Sequence, residues 1–82
     1  MQLKGTTVLL TGASGGIGAA LCDELVAAGA RVLAVGRDQA RLAQLAKRHE
    51  PGNILPFAAD ITLAEGRAAL IAFARSLQPT PS

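Results

Sequence analysis

At 82 residues the chain is one domain at most, and half of its residues are apolar, which permits a packed core and argues against disorder. A chain of this size buries only somewhat more than roughly 60% of its unfolded surface, near the lower limit for three layers. Eight basic and six acidic residues give a net charge of +2, scattered without a block of like charge, so no nucleic-acid or membrane partner is expected.

The lone Cys22 cannot form an internal disulfide, which fits a reducing compartment, and with no neighbouring base it reads as a buried helical thiol. Val8 to Leu10 is far too short to span a bilayer, and no signal cleavage site follows it. The expectation is a soluble cytoplasmic protein that starts at its natural Met1. Phe57 and Phe73 are the only aromatic residues, too few for base-stacking platforms.

Residues 6–11 (TTVLLT) are β-branched and apolar without alternation, as a strand buried on both faces should be. Glycines follow at once. Ile17, Leu21, Leu25 and Ala28 then recur at helical spacing until Gly29 supplies the stop. Residues 31–36 (RVLAVG) repeat the buried-strand composition, and Asp38 is a fitting N-cap for a helix through Leu42, Leu45 and Ala46 that ends before Pro51. The third unit is a strand over 53–59 (NILPFAA), Thr62 and Glu65 in capping-box spacing, and a helix carrying Leu70, Ala74 and Leu77. Residues 78–82 (QPTPS) read as irregular.

This βαβαβα alternation predicts an α/β fold: a three-layer, Rossmann-type parallel sheet with right-handed crossovers and strand order 3-2-1, the first half of a doubly wound fold. Pro56 cannot donate to a ladder, so the third strand should be an edge, as that order requires. The first strand has no proline or charge to protect its outer side, so it should pair with a second copy or with a further strand of a longer polypeptide.

The turn between the first strand and helix is Thr11-Gly12-Ala13-Ser14-Gly15-Gly16-Ile17-Gly18. The physical needs at such a junction are a tight turn at Gly12, close approach of a pyrophosphate to bare backbone at Gly16, and close helix-on-strand packing at Gly18. Helix N–H groups then face the phosphate charge. Ser14 either contacts a cofactor through backbone or hydroxyl or steadies the turn. A flexible turn would use the same glycines, but the placement between strand and helix points to nucleotide binding. No Lys-Ser/Thr pair ends the run, so it is not a P-loop.

The segment TGASGGIG resembles the TGxxxGxG fingerprint of the short-chain dehydrogenase/reductase family, and the likeness runs over the whole chain. Two further landmarks fit. NAD-using members typically carry an acidic residue at the position of Gly36, and NADP-using relatives often carry a basic residue at the position of Arg37. Asp60-Ile61 looks like the family's adenine-contacting pair, which implies that the Asp60 carboxylate accepts from the adenine amino group and the Ile61 backbone serves a ring nitrogen. As a local feature Asp60 reads equally well as a turn residue ahead of a Thr62 cap.

Cofactor contacts are therefore expected from Gly12, Ser14, Gly15, Gly16, Ile17, Gly18, Arg37, Asp60 and Ile61. The expected cofactor is NADP, the resemblance implies a carbonyl or alcohol substrate, and a homo-oligomer is expected. Asp38 is the competing carboxylate, expected to turn toward the helix it caps. His49 reads as a solvated residue at a helix C-terminus, and Lys47, Arg48, Arg67 and Arg75 as solvated helix faces.

The resemblance also implies an Asn-Ala-Gly segment, a catalytic serine and a Tyr-x-x-x-Lys pair. None is present, and the chain has no tyrosine. No residue is assigned to catalysis or to a metal, and the expectation is an incomplete NADP-binding segment over residues 1–82 that is inactive alone. Two alternatives are a small non-catalytic nucleotide-binding or regulatory module and, less fittingly, a methyltransferase, which would commonly place a carboxylate where Gly36-Arg37 stands.

Overall fold

The computed structural model describes residues 4–77, so residues 78–82, expected to be irregular, lie outside it. The elements are β1 (Thr7–Thr11), α1 (Gly16–Ala27), β2 (Arg31–Gly36), α2 (Gln39–Lys47), β3 (Ile54–Ala58) and α3 (Ala64–Ser76). The three strands are parallel in the order β1-β2-β3, which is the expected 3-2-1 order viewed from the opposite edge.

β2 is central and is the strand buried along nearly its whole length, on both faces. Val32 and Ala34 point into a core closed by Cys22 of α1 and Leu42 and Leu45 of α2. Leu33 and Val35 point the other way, toward Leu70 and Phe73 of α3, as the two-residue period of a strand requires. Leu33 is fully buried, and truncating such a residue to alanine costs about 2–5 kcal/mol. Phe57 of β3 stacks on Phe73 of α3, with ring centroids 4.9 Å apart. Pro56 pairs in register with Ala34 and lies on the edge strand, where its missing N–H is harmless.

Helix ends follow local chemistry. At the close of α1, Gly29 adopts φ +98°, its N–H donates to the Val26 carbonyl at 2.9 Å, and the Ala30 N–H donates to the Leu25 carbonyl at 3.0 Å. α2 opens as expected, with the Asp38 carboxylate accepting from the Arg41 N–H at 3.1 Å. α3 does not. Its N-cap is Leu63, which has no side-chain acceptor, so Thr62 and Glu65 form no capping box. Thr62 is turned instead toward Asp60, where a charged acceptor is a stronger partner than a backbone N–H. Among the described residues no helix is long and apolar enough to cross a membrane.

Candidate nucleotide-binding site

Parallel strands deliver their following loops to one end of the sheet. The β1–α1 turn, the end of β2 and the β3–α3 loop accordingly surround a cleft of about 510 Å³. Gly12, Ser14, Gly15, Arg37, Asp60 and Ile61 all line it, with Thr11, Gly36, Asp38 and Thr62 among the other lining residues. Gly16 lies just outside, in an adjoining groove of about 270 Å³ shared with Ser14, Gly15, Arg41 and Arg48. Ile17 is 83% exposed and lines neither space, and Gly18 is buried beneath the turn.

The glycines differ in what requires them. Gly12 has φ +71°, the left-handed conformation that a side chain disfavours. A Cβ on Gly18 would press on the Gly12 carbonyl oxygen and come within 2.7 Å of Ala13 Cα, so the helix packs on the turn itself rather than on the strand. A Cβ on Gly16 would meet no atom within 4 Å, and nothing in the chain's own packing demands glycine there. Gly15 is the N-cap of α1, and no side chain caps that helix or places an acid in its first turn. The leading N–H groups of α1 thus retain their capacity for an external anion.

At the end of β2 the charges are sorted. Asp38 spends both oxygens on α2: Oδ1 on the Arg41 N–H and Oδ2 on Arg41 Nε at 3.4 Å. Arg37 is exposed and, among the described residues, makes no hydrogen bond or ion pair. Its charge still reaches Asp60 across the cleft. Asp60 Oδ1 accepts from the Thr62 hydroxyl at 2.5 Å and from the Thr62 N–H at 3.0 Å. These two bonds, with a smaller contribution from Arg37, hold the Asp60 carboxyl below its ordinary range, so it is ionised. Both bonds end on Oδ1. The Ile61 carbonyl accepts from Arg67 Nη1 at 3.0 Å, and the Ile61 side chain packs against the α3-side core. Arg67 is exposed, as expected of a solvated helix face, and in addition bonds to this loop.

A glycine inside a helix is the feature most easily missed. Gly66 stands in the first turn of α3, and a Cβ there would collide with the Asp60 carbonyl oxygen and reach 2.9 Å from its carbon. Glycine within a helix costs about 1 kcal/mol relative to alanine, which is the signal in the sequence that something approaches closely.

Asp23, Arg48 and His49 tie α1 to the end of α2. His49 is no solvated end group: its ring is 13% exposed, with Nε2 2.8 Å from Asp23 Oδ1 on α1, while Arg48 donates to Asp23 Oδ2 at 2.5 Å. Asp23 sits opposite the end of α2, a contact between elements that local reading cannot see. Cys22 is buried as expected. Burial first, and the Asp23 charge second, push its thiol up, away from a nucleophilic thiolate.

The family profile for short chain dehydrogenases matches residues 6–78. The chain belongs to the short-chain dehydrogenase family. An uncharacterized short-chain type dehydrogenase/reductase of Sinorhizobium fredii is 50% identical over 54 residues, covering 66% of this chain and 21% of that protein. A 3-ketoacyl-(acyl-carrier-protein) reductase of Brucella melitensis, solved with NADH, superimposes with a TM-score of 0.85 at 32% identity over 92% of this chain and 30% of its own. A metagenomic short-chain oxidoreductase solved with NADP gives 0.81 at 32% identity over 90% and 34%. The chain thus spans about a fifth of the length of the curated relatives it matches first and about a third of these solved short-chain dehydrogenases.

Proposed function

We propose that this chain is the NADP(H)-binding part of a short-chain oxidoreductase that acts on a carbonyl or alcohol substrate. The observation that carries the reading is the sorting of charge at the end of β2: Arg37 lines the cleft unengaged, while the carboxylate next to it in sequence, Asp38, is engaged by α2. Similar proteins have been solved with either NADP or NADH, so the preference rests on this chain's own residues.

Each contact follows from what the groups can do. The Gly16 backbone and the uncapped N–H groups of α1 suit a pyrophosphate, which needs bare backbone and positive dipole. Gly12 and Gly18 shape that turn, Gly15 and Ser14 line its inner wall, and Ile17 contributes its backbone. Arg37 holds the extra phosphate on the adenosine ribose, for which a planar guanidinium is well matched. Asp60, ionised and with Oδ2 unspent by Thr62, accepts from the adenine amino group, and the Ile61 backbone serves the ring. When bound, the nicotinamide ring supplies or takes up the hydride. These 82 residues include no tyrosine, and we place no proton-transfer group among them.

Calorimetric titration of the protein with NADPH and NADH tests the proposal. Binding of NADPH tighter by about tenfold or more is expected, since hydrogen bonds to charged groups contribute roughly 1.5–3 kcal/mol. Equal affinities would overturn the NADP assignment, and binding of neither would overturn the nucleotide reading.

A further inference from the structure

Gly36 is a glycine for a reason unrelated to its φ angle. A Cβ built there would stand 2.7 Å from Ser14 Oγ, 3.1 Å from Ser14 Cβ and 3.3 Å from Ser14 N. Rotating the Ser14 hydroxyl relieves only the first of these contacts. The turn cannot simply draw back, because the Ala13 N–H donates to the Val35 carbonyl at 3.0 Å and ties the turn to the end of β2. Nor can the strand end move away, because the Gly36 carbonyl accepts from the Ala59 N–H at 2.9 Å on the side of β3. Gly36 is buried between these two attachments, and both it and Ser14 line the main cleft beside Arg37.

We propose that Ser14 and Gly36 act as one steric unit that sets cofactor specificity: the Ser14 side chain fills the space that a residue-36 side chain would need. A carboxylate that hydrogen-bonds a ribose hydroxyl reaches it through a Cβ at the end of the second strand. With serine at 14 that route is crowded, and among the described residues at the strand end Arg37 is the charged side chain left without a partner to meet the ribose. The determinant is the pair, not position 36 alone. This inference rests on the nucleotide reading above, and it adds Ser14 as a gate on its neighbour whatever contact Ser14 makes with the ligand.

The test is a set of double-substitution cycles in the protein, read first by thermal unfolding without ligand. Gly36→Ala should lower the midpoint in the Ser14 background. The drop should shrink with Ser14→Ala, which leaves Cβ in place, and become smallest with Ser14→Gly, where only the 3.3 Å contact with the backbone N remains. An equal drop in all three backgrounds, or none with Ser14 present, overturns the steric coupling. The second readout is titration with 5′-AMP and 2′,5′-ADP. Gly36→Asp alone should weaken both nucleotides by displacing the turn. Gly36→Asp with Ser14→Gly should restore 5′-AMP binding while 2′,5′-ADP stays weaker by about tenfold or more. A clean switch to 5′-AMP by Gly36→Asp alone, with an unchanged midpoint, overturns the proposal. If the unmodified protein binds neither nucleotide, the nucleotide reading and the specificity role fall together, and the midpoints still decide the coupling.

Discussion

Asp38 Oδ1 accepts from the Arg41 N–H at 3.1 Å, so the carboxylate that follows Arg37 in the chain is engaged by α2. Two functions that would conflict in the open chain are thereby separated by one helix cap. Removing the cap with Asp38→Ala should cost about 1 kcal/mol of stability. Asp38→Asn, which keeps an acceptor, should cost much less. Neither change should alter the ratio of 2′,5′-ADP to 5′-AMP affinity by more than about twofold, because the Asp38 carboxylate is directed at α2. Urea unfolding and nucleotide titration of both variants check this, and a large gain in 2′,5′-ADP preference on Asp38→Asn would show that the carboxylate opposes phosphate after all.

The three glycines at the start of α1 should separate stability from binding. Gly16→Ala meets open space and improves helix propensity, so the fold should hold or gain up to about 1 kcal/mol while nucleotide affinity falls. Gly16→Val should abolish binding with the fold intact. Gly18→Ala should destabilise by about 1–3 kcal/mol through overpacking against Gly12 and Ala13. Gly15→Ala adds only an ordinary contact at 3.6 Å from the Gly12 carbonyl oxygen and should change least. Equal effects at 15, 16 and 18 on both readouts would reduce the loop to a plain turn.

Gly66 couples α3 to the Asp60 loop. Gly66→Ala gains helix propensity in isolation, yet here it should destabilise by about 1–3 kcal/mol, because the added methyl would meet the Asp60 carbonyl. The sign is the point: stabilisation in urea unfolding would contradict the close approach.

The Asp60 carboxyl supplies a prediction in pH. Its pKa is lowered, chiefly by the Thr62 hydroxyl, so the bonds to Thr62 hold above the ordinary carboxylate range and are lost only as pH falls through the lowered value. Thr62→Val should raise the Asp60 pKa, followed by the carboxyl carbon shift in NMR. Arg37→Ala should raise it less. An unchanged Asp60 pKa in Thr62→Val would show that the hydroxyl bond does not form in solution.

The sheet was legible because its signals are local: β2 reads as a strand buried on both sides from RVLAVG alone, and Pro56 marks β3 as an edge. Six of the nine expected binding residues share one cleft for the same reason, since each follows a parallel strand. What local reading missed are relationships between elements. Thr62 carried the spacing of a cap but found Asp60, a charged partner two residues back, and His49 found Asp23 on another helix. Gly36 reads in sequence only as the lack of a carboxylate, and its contact with Ser14 exists only once β1 and β2 are aligned.

The most direct test of the central claim is the affinity ratio of 2′,5′-ADP to 5′-AMP before and after Arg37→Ala. The two ligands differ only in the phosphate that Arg37 is assigned to hold. The account predicts that the unmodified protein favours 2′,5′-ADP by about tenfold to a hundredfold, as one or two charged hydrogen bonds allow, and that Arg37→Ala removes most of that preference with 5′-AMP binding unchanged. Equal binding of the two nucleotides by the unmodified protein, or weakening of both by the same factor in Arg37→Ala, would contradict it.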